Sequence, residues 1–223
     1  MKIDLKTVLT VRKGSQRVIN KNFKKFYKKN LLAYKIETLK KVKNIGEIIV
    51  NTDSEKAIKI AKDYRVKFHM RDPYYASSRC TNSEFWSHIA KVTNSEYILF
   101  THCTNPLVKA ETYRKMIKLF IRKKKNYDTF NSVTSVKEFL YLNKKPINFN
   151  PNKSPNSQDL PNLVKLNFAI NILPNQIMKN KKSLIGKKPF FYELSQEESF
   201  DINTPTDFEV AEILFKKKAN LIF

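Results

Sequence analysis

Short runs of β-branched and aromatic residues alternate with amphipathic segments through the first hundred residues of this chain. The pattern predicts buried strands at 8–11, 48–50, 66–70 and 97–100, separated by helices whose apolar residues repeat with a period of 3.6. Strands and helices that alternate in this order form a mostly parallel sheet covered by helices on both faces. The sequence therefore predicts an α/β fold, and ligands of such folds bind beyond the carboxyl ends of the strands.

The second half of the chain is less regular, although further helices and strands are expected at 110–122, 129–133, 167–173, 175–179 and 190–192. Thr204 or Thr206 is expected to cap a final helix, with Pro205 suited to its first turn. Residues 137–158 hold three prolines and no sustained periodicity, which is typical of a functional loop or an interaction arm. We expect a single domain over residues 1–223, with an excursion contained in 137–192.

The charge of the chain is strongly basic, with 43 Lys and Arg against 20 Asp and Glu and a net charge of +23. This excess could indicate a nucleic acid or an acidic membrane surface as partner. The lysines are spread over the whole length, however, and their clearest clusters lie on or beside predicted helices. Solvated helix faces are therefore the favoured interpretation, and no specific nucleic-acid partner is expected.

Other features of the composition narrow the class of protein. No apolar run approaches the roughly 20 residues of a membrane span, so no membrane insertion is expected and the protein is placed in the cytoplasm. The two cysteines, Cys80 and Cys103, form neither a disulfide framework nor a zinc site. A hydrophobic share of 41% with 16 Phe and 10 Tyr indicates a packed globule.

The first predicted strand runs into a basic loop that contains Arg12, Lys13, Gly14, Ser15, Arg17 and Lys21. Gly14 can adopt positive φ, Arg12 can donate two parallel hydrogen bonds, and Lys21 adds a point charge, which together suit a polyphosphate. The loop matches neither the G-x-x-x-x-G-K-[ST] pattern nor the G-x-G-x-x-G pattern. A solvated surface turn therefore remains the alternative at this point.

Further polar residues follow the other predicted strands. Arg71 comes directly after the third strand and could contact a base or a phosphate, or form an ordinary salt bridge in a connection. His102 ends the fourth strand, where a lone histidine is more often a hydrogen-bonded structural group than an acid, base or ligand.

Acidic residues gather before the final helix, at Asp201 and Asp207, with Asn203 between them. Their oxygens suit Mg²⁺, which typically takes one or two carboxylates together with substrate phosphates. Capping of the helix and pairing with its dipole is the alternative role for the same residues.

Five segments in order resemble the CMP-sialic acid synthetase family, the cytidylyltransferases that activate acidic sugars such as sialic, legionaminic, pseudaminic and octulosonic acids. The segments are VRKGSQRVINKN, RDPYYAS, THCTNPL, SQDLP and FDINTPTDFEVAE, and they extend over essentially the whole chain. The resemblance implies a Rossmann-like nucleotidyltransferase fold with a mostly parallel central sheet covered by helices. It also implies transfer of CMP from CTP to the anomeric hydroxyl of an acidic 2-keto sugar, with release of pyrophosphate.

The resemblance also implies roles for individual residues. Arg12, Ser15 and Lys21 would hold the triphosphate of CTP. The cytosine would be read by Asn22, Arg71, Cys80 and Asn82, and Mg²⁺ would be bound by Asp201 and Asn203. Arg12, Lys21 and Asp201 would serve catalysis by neutralising charge on the phosphates. The sugar would be bound by His102, Gln158, Phe190 and Phe191, the last two belonging to the region through which family members form homodimers.

The chain departs from the family pattern at several positions. His102 stands where glutamine is expected, Ser157 where arginine is expected, and Ser77 and Ser78 replace a Ser-Asp pair. Asn203 replaces a second metal-binding aspartate, and its amide oxygen can coordinate Mg²⁺ but brings no charge. The alternatives are an enzyme with another base specificity, a catalytically impaired homologue, and a basic nucleic-acid-binding protein without chemistry.

Overall fold

The computed structural model describes residues 3–15 and 17–220. The strands are β1 (Leu5–Val11), β2 (Lys25–Phe26), β3 (Lys29–Asn30), β4 (Glu47–Thr52), β5 (Lys67–Met70), β6 (Tyr97–His102), β7 (Thr129–Val136), β8 (Tyr141–Leu142), β9 (Lys145–Pro146), β10 (Leu163–Pro174) and β11 (Pro189–Glu193). The helices are α1 (Leu31–Lys40), α2 (Glu55–Asp63), α3 (Asn82–Val92), α4 (Ala110–Lys123), α5 (Asn175–Asn180) and α6 (Pro205–Asn220). Short 3₁₀ turns occupy Pro73–Ala76, Pro151–Lys153 and Ser157–Asp159.

Seven strands form the central sheet in the order β11-β7-β10-β6-β1-β4-β5. β1 pairs in parallel with β4 and β6, β4 with β5, and β11 with β7, which confirms the predicted mostly parallel α/β sheet. β10 runs antiparallel to both β6 and β7, an orientation that the sequence pattern did not predict. The chain reaches β10 from β7 through an irregular segment and without a crossover helix, so an antiparallel return is the natural connection.

Short polar side chains cap the starts of the first three helices. The Asn30 side chain accepts a hydrogen bond from the Ala33 N–H at 2.9 Å and starts α1, and Ser54 caps α2 in the same way. Thr81 caps α3 in a reciprocal arrangement with Glu84, which satisfies two backbone N–H groups that the helix leaves free. These caps fix where each helix begins relative to the preceding strand end.

The core lies on both faces of the sheet. Val8 of β1 packs on one face with Ile89 of α3, while its neighbour Leu9 packs on the other face with Ile36 of α1. Successive side chains of a strand point to opposite faces, so both neighbours can be buried only when helices cover both sides. Helices α1, α2, α4 and α6 cover one face and α3 and α5 the other.

The irregular segment extends over 137–162 and carries the small β8–β9 hairpin. The amide of Asn148 holds the hairpin, because it accepts from Leu140 N–H and donates to the Glu138 carbonyl, both at 2.8 Å. Tyr141 and Leu142 at its tip are exposed. Its use in dimerisation stays a prediction.

Over residues 3–15 and 17–220, no helix combines the length and the apolar character that a membrane crossing requires.

Candidate functional site

A cavity of about 450 Å³ opens at the carboxyl ends of the central strands, at the edge of the sheet where the sequence predicted a ligand site. Ten of the residues to which the family resemblance assigns a role line this one cavity: Arg12, Ser15, Lys21, Asn22, Arg71, Cys80, Asn82, His102, Asp201 and Asn203. The structure therefore brings together residues that are up to 191 positions apart in the chain, from Arg12 to Asn203.

The basic loop after β1 forms one wall of the cavity. Gly14 has φ +75°, the left-handed conformation expected for it, and it turns the chain so that Arg12 and Ser15 both reach the cavity. The Lys13 N–H donates to Asp53 Oδ1 at 2.7 Å, which ties the loop to the end of β4. The loop is thus anchored beside the cavity, although Lys13, Gly14 and Arg17 remain exposed.

Lys21 closes this wall on the side of the final helix. Its Nζ donates to the Ile202 carbonyl at 2.5 Å, and burial lowers its pKa while the carboxylate of Asp201 raises it. The ammonium is held close to the acidic segment that precedes α6. A cation and a carboxylate therefore share the same corner of the cavity.

Arg71 forms a buried wall beyond the end of β5, with only 4% of its surface exposed. Its guanidinium donates to the Asn51 side chain at 2.6 Å and to the Asn51 and Val11 carbonyls at 2.7 and 3.2 Å. The group also lies over the Phe85 ring, 4.6 Å from its centroid. Burial lowers the pKa of Arg71 to about 10, so a fixed positive charge faces the cavity at neutral pH.

Asn22 supplies a buried acceptor that none of the described residues uses. The residue is 7% exposed, and its Oδ1 is buried without a hydrogen-bond partner among the described residues. A buried acceptor without a partner costs free energy unless a ligand supplies a donor. Cys80 and Asn82 line the cavity at the start of α3, and burial raises the pKa of the Cys80 thiol.

The acidic corner of the cavity is built by Asp201 and Asn203. Asn203 Nδ2 donates to Asp201 Oδ2 at 2.8 Å, while Asp201 Oδ1 is buried with no hydrogen-bond partner within 3–15 and 17–220. Asp207 does not line the cavity; its Oδ2 accepts the N–H groups of Asn203 and Thr204 at the start of α6. Helix capping thus falls to Thr204, whose Oγ1 accepts the Asp207 N–H at 3.1 Å, together with Asp207, and Asp201 takes no part in it.

His102 lies at the end of β6, where its Nδ1 is 2.9 Å from Thr10 Oγ1. Burial lowers the pKa of His102 to about 4, so the ring is neutral at physiological pH. The adjacent Cys103 is fully buried, and burial raises the pKa of its thiol to about 12. Neither group is therefore a charged nucleophile, although His102 presents a neutral ring to the cavity.

The structure adds a part of the cavity that the sequence reasoning missed, a bulge in β10. The pairing register shifts between Leu166 and Asn171, and Asn167 and Phe168 line the cavity from this bulge. Phe168 has φ +54°, a conformation that costs a bulky residue about 1–2 kcal/mol. No local pattern marks a bulge whose register depends on the neighbouring strands, so the sequence carried no signal for it.

The remaining predicted site residues lie outside the cavity of their own chain. Gln158 is exposed on a 3₁₀ turn of the irregular segment. Phe190 packs edge-on against Tyr127 and beside Phe130 on the edge strand β11, and Phe191 is 45% exposed. Within one chain these three residues do not meet His102, and their predicted contact with a sugar stays a prediction.

Taken together, the structure shows a mostly parallel α/β sheet with a charged cavity at the carboxyl ends of its strands, where folds of this type bind ligands. A family model described as Cytidylyltransferase matches residues 8–223. The chain therefore belongs to the cytidylyltransferase family, in agreement with the resemblance to CMP-sialic acid synthetases.

Curated relatives support the same family. N-acylneuraminate cytidylyltransferase of Escherichia coli is 27% identical over 98% of this chain, although the match spans only 54% of that longer protein. The flagellin modification protein B of Campylobacter coli and the CMP-N,N'-diacetyllegionaminic acid synthase of Campylobacter jejuni are each 24% identical. Both of these matches span 94% of each chain.

Solved structures share the fold at low identity. A CMP:2-keto-3-deoxy-manno-octonic acid synthetase complexed with CTP superposes with a TM-score of 0.72 at 12% identity. The match covers 96% of this chain and 99% of that one. A 4-diphosphocytidyl-2C-methyl-D-erythritol synthase from Anaerococcus prevotii gives 0.70 at 13% identity, over 96% and 97% of the two chains.

Proposed function

We propose that this protein transfers CMP from CTP to the anomeric hydroxyl of an acidic 2-keto sugar and releases pyrophosphate. The observation that carries the proposal is the convergence of Arg12, Lys21, Arg71 and Asp201 on one cavity at the strand ends. The names of the relatives, which refer to neuraminic and legionaminic acids, support an acidic sugar as acceptor.

The phosphate end of the cavity lies at the basic loop. Arg12, Ser15 and Lys21 would contact the triphosphate, with Arg17 adding charge at the rim. The sugar hydroxyl oxygen forms a bond to the α-phosphorus, the bond from that phosphorus to the departing pyrophosphate breaks, and the hydroxyl proton is released. Such a transfer depends on positioning and on neutralising charge, so no covalent nucleophile is needed.

The base end of the cavity lies at Arg71 and Asn22. The amino group of cytosine is a donor, whereas uracil has a carbonyl oxygen at the same position. The unpaired Oδ1 of Asn22 would be satisfied by the amino group and would repel the carbonyl, which favours CTP over UTP. Cys80 and Asn82, across from Arg71 at the start of α3, would complete this end.

The acidic corner fits a magnesium ion. The described residues hold no group of three or more His, Cys, Asp or Glu side chains that could bind a metal by themselves. Mg²⁺ needs only one or two carboxylates when phosphates complete its coordination, and Asp201 Oδ1 has no hydrogen-bond partner in the part of the chain that the structure describes. Asp201 would hold the ion with the Asn203 amide oxygen, and the bound ion would neutralise charge on the phosphates.

We further propose a homodimer in which the irregular segment and β11 of one chain face the cavity of the other. Gln158, Phe190 and Phe191 lie outside their own cavity, and a partner chain would allow them to contact the sugar. Sedimentation analysis tests this part separately. A monomer at concentrations where the protein is active would contradict it.

Measurement of pyrophosphate release tests the proposed activity. The protein is incubated with Mg²⁺, CTP and a panel of sialic, legionaminic, pseudaminic and octulosonic acids, with UTP and GTP in parallel. Release that requires both CTP and one of the acids is the expected result. Pyrophosphate release with UTP or GTP instead of CTP would show that the protein selects another base. No release with any combination of nucleotide and acid would indicate an impaired homologue.

Generic nucleic acid serves as the control for the non-enzymatic alternative. Scattered surface lysines predict weak association that disappears as salt is raised and that does not saturate. Tight, saturable binding to RNA or DNA would favour that alternative.

A further inference from the structure

We infer that Phe168 is a specificity-determining residue, which limits the size of the group that an acceptor can present to the β10 side of the cavity. The inference rests on the proposed function and adds to it the residue that shapes the acceptor end. It comes from three observations, namely the position of Phe168 along the sheet, its backbone conformation and the bonding of its neighbours.

The strand order places Phe168 at the acceptor end. The basic loop follows β1 and Arg71 follows β5, whereas Phe168 belongs to β10, which lies on the far side of β6. Thr101 Oγ1 donates to the Ala169 carbonyl at 2.6 Å, so the bulge is fixed beside the end of β6 that carries His102. Phe168 is thus separated from the phosphate loop by a whole strand and adjoins the residue predicted to meet the sugar.

The backbone conformation shows that the bulge would suit a smaller residue. Eight non-glycine residues of the described chain have positive φ, and seven of them lie in turns or loops. Phe168 is the one inside a strand of the central sheet. Glycine or asparagine adopts this conformation with less strain, so the backbone of the bulge does not favour a large aromatic residue. The reason for Phe at this point lies in what its ring does.

The surrounding hydrogen bonds hold the strained residue in place. Asn171 Nδ2 donates to the Phe168 carbonyl at 3.2 Å, and Asn167 Oδ1 accepts the Ala169 N–H at 3.2 Å. Ser132 binds the same Asn167 oxygen at 2.5 Å and accepts the Ile170 N–H at 2.9 Å. The bulge is therefore well determined even though its central residue is unfavourable there.

Asn167 and Phe168 both line the cavity, but these hydrogen bonds leave only Phe168 available to contact a ligand. Both ends of the Asn167 amide are used, since Nδ2 donates to Thr134 at 3.0 Å. The Phe168 side chain offers no hydrogen-bonding group; it packs against the apolar cluster on the α3 face, with its ring centroid 6.4 Å from that of Trp86, and the residue lines the cavity. The β10 wall therefore acts through the shape of one aromatic ring and not through hydrogen bonds.

The test compares acceptor profiles of the native chain with those of Phe168→Gly and Phe168→Asn, two variants that suit positive φ and remove the ring. Arg65→Gly is the matched control, because Arg65 also has positive φ but lies in an exposed loop away from the cavity. Values of kcat/KM are measured for octulosonic acid and for nine-carbon acids with acylamino groups of increasing size. The KM for CTP is measured alongside.

We expect the Phe168 variants to raise kcat/KM for the bulkiest acceptors relative to the smallest by roughly ten-fold or more, the range that one apolar contact controls. The KM for CTP should change less than about two-fold, and Arg65→Gly should leave the profile unchanged. An unchanged profile in active variants, or a change confined to CTP, overturns the inference alone. A native chain that is inactive with every acceptor overturns the proposed function and this inference with it.

Discussion

The two ends of the cavity are built by different means. At the proposed nucleotide end, charged side chains lie directly after parallel strands, and their positions follow from where β1 and β5 end. At the acceptor end, the wall is a bulge in an antiparallel strand, and three further predicted residues lie outside the cavity altogether. Phosphate transfer requires positive charges at fixed positions, whereas the choice of acceptor can be altered by the shape of the cavity wall alone. This difference suggests that the nucleotide end and the acceptor end can be altered independently.

The largest expected effect comes from removing a charge at the phosphate wall. Arg12→Ala should lower kcat/KM for CTP by about 100-fold or more, because the triphosphate loses a fixed cation in a partly buried site. Steady-state pyrophosphate release measures it. Lys13→Ala is the matched control, since that neighbouring side chain is exposed and does not line the cavity. Equal losses of kcat/KM in both variants would show that CTP binding depends on the net charge of the protein and not on a specific contact in the cavity.

A loss of similar size is expected at the acidic corner. Asp201→Asn should lower kcat by about 100-fold and raise the Mg²⁺ concentration needed for half-maximal rate, because it removes the carboxylate with the free oxygen. Asp207→Ala should instead lower the free energy of unfolding by about 1 kcal/mol through loss of a helix cap, with Mg²⁺ dependence unchanged. Titrating Mg²⁺ in both variants separates the two roles.

Asn203 permits a gain-of-function test at the same corner. Asn203→Asp should lower the Mg²⁺ concentration that half-saturates the enzyme, since it adds a second carboxylate beside Asp201. Without Mg²⁺ the two carboxylates repel each other, so the variant should melt at a lower temperature than the native chain. If the Mg²⁺ concentration for half-saturation is unchanged in this variant, the metal does not bind beside residue 203.

A smaller effect is expected in base selection. Asn22→Ala should reduce the preference for CTP over UTP by roughly ten-fold, because the unpaired acceptor that favours an amino group is removed. The fold should lose little, since Oδ1 of Asn22 makes no hydrogen bond in the described part of the chain. The ratio of kcat/KM values for the two nucleotides is the measurement. A ratio that does not move would assign base selection to Arg71 and α3 alone.

The smallest effect concerns pH. Burial lowers the pKa of His88 and of His102 to about 4 from an ordinary value of 6.5, so between these values the unfolded chain binds more protons than the native protein. The free energy of unfolding should therefore fall as pH is lowered from 6.5 to 4. Denaturant titrations at pH 7 and 5 measure the loss, and His102→Gln should lessen it. An equal loss in that variant would show that His102 is not held neutral by the fold.

The sequence predicted the parts of this molecule that depend on local chemistry. Thr204 or Thr206 is expected to cap the final helix, and Thr204 does so: its Oγ1 accepts the Asp207 N–H at 3.1 Å, a bond within one turn that needs no knowledge of the fold. Arg12 and Arg71 reach one cavity because parallel strands end at the same edge of the sheet.

Contacts between distant segments could not be predicted in the same way. The role of Asn51 in holding Arg71 and the bulge at Phe168 both depend on strand register, which is set by pairing across the sheet. In the proposed homodimer, Gln158 and Phe191 would contact the sugar bound by the other chain. Within one chain they lie outside the cavity.

A structure of the complex with CTP and Mg²⁺ tests the central claim most directly. We predict the triphosphate on Arg12, Ser15 and Lys21, the cytosine within hydrogen-bond distance of Asn22 and beside Arg71, and free space between the α-phosphate and Phe168 for an acceptor. CTP bound outside this cavity, or bound with its base against Phe168, would contradict the division into a nucleotide end and an acceptor end.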